Sequence, residues 1–594
     1  MIEEKAIIMY YTTQIFGLII LIIIVINSNV DGNENNKYTD GGVQLIDEVK
    51  SLPGWNGPLS SKHYSGFLDG DSINNNKLHY WFVECETNPQ DAPVLFWFNG
   101  GPGASSLYGL LVELGIITIK LNFQNYYHYF IILGPYLLSD LSLSGPEYEA
   151  TKIPQLVYNP YGWQKISNIV AISMPPPIGF SYCNGNVQAS GDDCTPVDSG
   201  HWNDTTTALV TYQAVKSFFS KFPNYNKNDV FIAGESYAGV YVPRLVQNIL
   251  KGNDDFPINL KGFAVGDACT PPNICGSKTI GPYYNIEFLF GKNAFSNSLY
   301  ESIKAACTSE ELKNGTLSTA CSAEVSKISA EAGGYWLYAY YDDCWYENDI
   351  RRSLSSLLPT SPSKDFKYYG PPIRKLSGGS SIDRVLDVPQ NGYYCGGPNA
   401  QVMWLELPVV KKALNVPVDA VFFQCDNGAG FSYWGDQQDL VSWYKEVITE
   451  NKLRILVYNG DTDPCINAFD SQDWVESLGF QKTEGWRPWT TDDCQRMGGY
   501  VIRYENNFDF LTIKGSGHMV PQFKASQSLE FISRFLKGEN YKSYNPTCTN
   551  PSSSSSSLEL VESEIEYLLA KGKREWEMKE KILTEKLKSI QKRN

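Results

Sequence analysis

The chain has 594 residues, and 49 Lys plus Arg against 65 Asp plus Glu leave a formal charge of −16. That balance excludes nucleic acid as a default partner, because phosphate binding needs a basic footprint. Hydrophobic residues at 42% and aromatics at 13% suffice for a packed core, which excludes wholesale disorder. Thirteen cysteines accompany only five histidines, His63, His79, His128, His201 and His518. A His-rich metal centre is therefore not expected, and neither a metal nor a cofactor is called for.

In chain order, the apolar run Ile15–Ile26 reads as the core of a secretory signal over residues 1–30. It is short for a membrane span, so no stable span is expected; a signal anchor is the alternative. Scattered cysteines and the sequons Asn203-Asp-Thr205 and Asn314-Gly-Thr316 fit the same route, with glycans expected at Asn203 and Asn314. The expected location is the secretory pathway, with lysosomal or vacuolar against extracellular fate left open.

Short apolar runs read as buried strands: Val94–Phe98, Ile169–Met174, Val230–Ala233, Phe263–Val265, Arg454–Tyr458 and Phe510–Ile513. Amphipathic stretches lie between some of them. In Thr205–Phe219 the residues Ala208, Leu209, Tyr212, Val215 and Phe219 share a face. Strand and helix in alternation predict an α/β fold with a mostly parallel sheet. The segment from about 269 to 394 breaks this alternation and reads as an insertion covering the sheet's catalytic edge. After the linker 551–557, residues 558–594 carry mixed charges and an apolar stripe, which predicts a solvated helix or a tail-mediated coiled coil. A homodimer is also left open.

The chemistry concentrates at strand ends. Val230–Ala233 runs into Gly234-Glu-Ser-Tyr-Ala-Gly239, a strand followed by Gly-x-Ser-x-small, which makes Ser236 a nucleophile on a sharp turn. A serine hydroxyl needs a base, and the base needs a carboxylate to orient it. In this architecture the chain order is Ser, then Asp or Glu, then His. His518 alone follows Ser236, in a glycine-rich loop directly after Phe510–Ile513. The loop after Arg454–Tyr458 offers Asp461 and Asp463. Asp463 is favoured, since Asp461 follows Gly460 and is better placed to stabilise the turn. Upstream, the glycine-rich loop after Val94–Phe98 nominates the Gly101 N–H, with that of Tyr237, as an oxyanion hole. No Gly-Lys-Ser/Thr follows, so it is not a phosphate loop.

These motifs resemble the serine carboxypeptidase family. The matching blocks run in family order between about Gly54 and Leu536: Asn99-Gly-Gly-Pro-Gly103, Asn159-Pro-Tyr-Gly-Trp163, Gly179-Phe-Ser-Tyr182, Gly234–Gly239, Gly460-Asp-Thr-Asp463 and Gly517-His-Met-Val-Pro521. The resemblance implies an α/β-hydrolase with an inserted cap over residues 31–550. It also implies release of C-terminal amino acids from peptides and proteins through an acyl-enzyme. Asn99, Glu113 and Glu235 match the residues that hold the substrate's terminal carboxylate in that family. A protonated glutamic acid donates to a carboxylate whereas an ionised one repels it, so an acidic optimum is expected. Trp97 and Met519 match further substrate-binding positions. An acyltransferase or esterase on the same fold, or a secreted protective or binding protein, are the alternatives.

The resemblance also implies a disulfide set, with departures. Ala104 stands where family members usually carry a cysteine paired to the position of Cys425, and Cys85 is the expected substitute. The remaining pairs are Cys183–Cys194, Cys269–Cys275, Cys307–Cys321, Cys344–Cys395 and Cys494–Cys548, leaving Cys465 free. The 19 residues 116–134 interrupt Glu113-Leu-Gly115 and Pro135-Tyr136, and deleting them restores the family's usual run. Their Ile-, Tyr-, Asn-, Phe- and Lys-rich composition reads as a retained intron in the gene model, against a true surface insertion.

Overall fold

The computed structural model describes residues 47–71, 75–111, 136–138, 146–189, 193–196, 200–252, 255–272, 275, 281–341, 398–424, 431–437, 439–492, 494 and 496–548. The signal-like start, the 116–134 segment with Glu113, the linker and tail, and Cys344, Cys395 and Cys425 lie outside these residues.

Eleven strands form one sheet: β1 Glu48–Val49, β2 His63–Asp69, β3 Lys77–Val83, β4 Val94–Phe98, β5 Asn168–Ile172, β6 Val230–Glu235, β7 Leu260–Gly266, β8 Arg454–Gly460, β9 Lys482–Thr490, β10 Met497–Tyr504 and β11 Phe508–Ile513. Their spatial order is β1-β2-β3-β5-β4-β6-β7-β8-β11-β10-β9. The six central strands, β5-β4-β6-β7-β8-β11, are mutually parallel, while both flanks pair antiparallel. All six strand expectations fall on this parallel core. β4 and β6 are buried along their whole length, as the uninterrupted apolar runs require when helices cover both faces.

Two helices order the centre. α1 Asp204–Lys221 opens on a capping box, in which Asn203 Oδ1 accepts from the Thr206 N–H at 2.8 Å. Its buried face carries Ala208, Tyr212, Val215, Phe218 and Phe219. Leu209, assigned to that face from its spacing, is instead 48% exposed. It stands one residue, or about 100°, round from Ala208, and the apolar stripe has ended there. α2 Ala238–Gly252 packs against α1 and follows β6 directly.

Within the segment read from sequence as an insertion, residues 281–341 carry the helices Tyr283–Gly291, Asn297–Ala306, Ser309–Asn314, Thr319–Val325 and Ile328–Ala332. They enclose a small core of their own, with Ile286, Phe288, Leu299, Ile303, Leu312 and Val325 all buried. Among the described residues, no helix is long and apolar enough to cross a membrane.

Four of the expected disulfides are present: Cys183–Cys194, Cys269–Cys275, Cys307–Cys321 and Cys494–Cys548. Cys465 is free, as expected, but Cys85 is free as well, so the Cys85–Cys425 pairing is corrected. The register explains why. The Cys85 N–H donates to Asn168 Oδ1 at the first residue of β5, where β4 also begins. Gln424, beside Cys425, accepts from the Ser105 N–H beyond the other end of β4. A five-residue strand, ~16 Å long, separates those two places. A disulfide spans only about 4.4–6.8 Å between Cα atoms.

Candidate active site

Parallel strands deliver their following loops to one sheet edge, and that edge collects the chemistry. Ser236 leaves β6 with φ at +61°, a left-handed conformation costly for a residue other than glycine. The turn is held by its neighbours: the Ser236 N–H donates to Gly266 O, and Ser236 O accepts from the Gly239 and Cys269 N–H groups. A side chain at Gly234 would meet Phe98 O at 2.5 Å, and one at Gly239 would meet Cys269 O at 2.4 Å. Both glycines are therefore steric requirements of the elbow. Ser236 itself is half-buried, in contrast to the fully buried residues of β6 before it.

β8 ends in the loop bearing Asp461 and Asp463, and β11 ends in the loop bearing His518. His518 Nδ1 lies 2.7 Å from Asp463 Oδ2, with both side chains buried. Asp463 is fixed by two backbone donors, the Cys465 N–H on Oδ1 at 2.8 Å and the Ile466 N–H on Oδ2 at 3.1 Å. That pairing makes Nδ1 the protonated ring nitrogen and leaves Nε2 as the base. Nε2 is buried without a hydrogen-bond partner among the described residues. Asp461 does other work: its Oδ1 accepts from the Gly515 N–H at 2.6 Å and ties the two loops together. From the insertion, Tyr338 O accepts from the His518 N–H at 2.8 Å, and the Tyr338 ring lies 5.0 Å from the imidazole.

The loop after β4 runs against the elbow. A side chain at Gly100 would fall 2.4 Å from the Tyr237 N, so the two backbones are in close contact there. Neither the Gly101 nor the Tyr237 N–H has an acceptor among the described residues. α2 begins at Ala238, and its N-terminal end adds favourable potential for a negative charge.

A sequence model of the family described as "Serine carboxypeptidase" matches residues 53–538. The chain belongs to the serine carboxypeptidase family. Among its relatives in that family is the serine carboxypeptidase-like 20 protein of Arabidopsis thaliana, 30% identical, covering 82% of this chain and 93% of the relative. The lysosomal protective protein of Mus musculus is 31% identical, covering 83% and 94%. Of solved structures, a prohormone-processing carboxypeptidase from Saccharomyces cerevisiae superposes with a TM-score of 0.56 at 19% identity, covering 83% of this chain and 95% of that one. At that identity the match speaks for the α/β-hydrolase fold alone.

The serine carboxypeptidase positions singled out from sequence divide into groups. Asn99 and Glu235 are buried at the ends of β4 and β6. Asn99 Oδ1 accepts from the Trp97 indole N–H at 2.9 Å and the Gly109 N–H at 3.1 Å, which turns its amide in one direction. A side chain at Gly109 would come within 2.5 Å of that oxygen, so glycine is needed there too. Trp97 is only 2% exposed and stands edge-on to Trp163, so it supports Asn99 rather than presenting a face to solvent. Met519 packs beside Trp336 and Ala339. Glu113 lies outside the described residues. Asp267 was not singled out at all. It is an acidic residue directly after β7, and the rule that strand-end residues face the site would have found it.

Proposed function

We propose that this chain is a serine carboxypeptidase of the secretory pathway, most active at acidic pH, with Ser236, His518 and Asp463 as its triad. The carrying observation is the buried, oriented His518–Asp463 pair on the sheet edge that also presents Ser236 on a strained elbow. His518 Nε2 removes the hydroxyl proton as Ser236 Oγ attacks the last peptide carbonyl. Asp463 holds the imidazole and balances the charge it gains. The Gly101 and Tyr237 N–H groups stabilise the oxyanion. His518 then returns the proton to the departing amino acid, and water hydrolyses the acyl-enzyme by the same steps in reverse order.

Selection for a C-terminus falls to Asn99, Glu235 and Glu113, with the Asn99 amide donating and the two carboxylic acids donating while protonated. Substrate binding weakens as pH rises and those protons leave. Four disulfides support passage through an oxidising compartment. Peptides and proteins with a free C-terminus are the substrates, and a dimer or a coiled-coil tail is an additional expectation.

The test is incubation with an N-terminally blocked peptide, read by mass spectrometry over a pH series. Single residues should leave the C-terminus near pH 5, more slowly near pH 8, and not at all with Ser236→Ala. Equal turnover at both pH values would sink the carboxylic-acid site. Loss of internal fragments instead of end residues would sink the exopeptidase reading.

A further inference from the structure

Asp267 is fully buried beside the triad and is used by none of the steps above. Its N–H donates to Tyr458 O at 2.8 Å, and its Oδ1 accepts from the Gly460 N–H at 2.9 Å and from Asn459 Nδ2 at 3.2 Å. Those bonds clamp the carboxyl to the end of β8. Its ligand atom, one of Asp463 and one of His518 all lie within 4.8 Å of one another. Asp267 Oδ2 meets no N–H or O–H among the described residues. Asp463 is meanwhile engaged by the Cys465 and Ile466 N–H groups and by His518.

Two ionised carboxylates are acceptors only, and they repel each other at this distance. A bridging cation fits poorly, because two N–H groups and the imidazole already point at Asp463. A proton on Asp267 resolves the contact.

We propose that Asp267 is a positioning residue that retains its proton and donates it to Asp463, so that the buried pair carries a single negative charge beneath His518. Burial, and then the charge of Asp463, hold the Asp267 carboxyl well above the usual carboxylate range. The titratable groups facing it are Asp463 and Cys465 from the loop after β8 and His518 from the loop after β11. The consequence concerns the base. A doubly charged pair would stabilise the imidazolium and silence His518 at acidic pH. A singly charged pair, its charge partly drawn off by the Asp267 proton, stabilises the imidazolium less. This inference rests on the triad proposed above, and it explains how a histidine base serves an acid-active enzyme.

The test measures how fast a fluorophosphonate labels Ser236 in the full-length protein as a function of pH. The probe carries no carboxylate and needs no peptide site. In Asp267→Asn the amide keeps the acceptor for Gly460 and turns an N–H toward Asp463, so the acid limb should stay at its wild-type position. In Asp267→Leu the donor is gone, and the limb should move up by about one pH unit. Difference infrared spectra of wild type against Asp267→Asn should also show the carbonyl band of a protonated buried carboxyl, whether or not the leucine variant folds.

Absence of that band, or an unmoved limb in a folded leucine variant, would overturn the proposal. So would a limb displaced equally in both variants. Normal labelling with no peptide trimming would overturn the carboxypeptidase reading and leave this one standing. No labelling of wild type at any pH would overturn both.

Discussion

Two aspartates two residues apart, Asp461 and Asp463, show how finely the roles at this edge divide. Asp463 meets the imidazole and two N–H groups of its own loop, whereas Asp461 reaches across to the Gly515 N–H. Asp463→Asn removes the charge that fixes the tautomer and balances the imidazolium. We expect kcat to fall on the order of 10³- to 10⁴-fold. Asp461→Asn keeps a carbonyl oxygen for Gly515, and the exchanged hydrogen bond is worth about 1 kcal/mol, so kcat should change by less than about fivefold. Steady-state kinetics of the two variants on one peptide decide the matter; an equal fall in both would remove Asp463 from its assigned role. Sequence reasoning separated these residues because turn chemistry gave each a different task. It missed Asp267: its place directly after β7 marks it as a strand-end residue, but its nearness to Asp463 comes from β7 lying beside β8, which no local motif carries.

Among the elements, the parallel strands were legible because full burial forces a continuous apolar run, and the elbow glycines because close backbone approach admits nothing larger. The disulfide pairs present were legible through the family resemblance and not from the spacing of the cysteines. The Cys85 pairing failed because it demanded knowledge of which end of β4 Cys85 lies at. The two sequons are separated by the same kind of fact. Asn314 is exposed at a helix end, where its Oδ1 accepts from the Thr316 N–H in an open turn. Asn203 instead caps α1, is half-buried, and sits in a two-residue bridge to Tyr433–Trp434. The cap uses Oδ1, so a sugar would have to leave from Nδ2 of a half-buried side chain whose orientation the cap and the strand bridge fix. For protein expressed through a host cell's secretory route, enzymatic deglycosylation in heavy-oxygen water should mark Asn314 and leave Asn203 unmarked. A mark on Asn203 would show that the cap tolerates the glycan.

At the scale of the molecule, a buried carboxyl apart from the triad ties the folded state to acidic pH. Asp470 lies in the first turn of the helix Ala468–Ser477, which follows the Asp463 loop, and it is 8% exposed. Burial, and then the charge of Asp473, push its carboxyl from 3.8 up to about 7, against the opposing pull of Lys313. Lys313 comes from the inserted helices, and Tyr284 of the same insertion donates to Asp473, so this cluster joins insertion and body. The sign follows from proton counting. Between about pH 4 and pH 7 the folded chain holds a proton at Asp470 that the unfolded chain has released. Stability therefore falls as pH rises through that window and levels off above it. At about 1.4 kcal/mol per pH unit the displacement is worth at most about 4 kcal/mol. Asp470→Asn mimics the neutral form and escapes the loss. Its denaturation midpoint should exceed that of wild type at pH 8 and converge on it near pH 4. A constant difference at both pH values would mean that the substitution acts through packing and that Asp470 does not link folding to acidity.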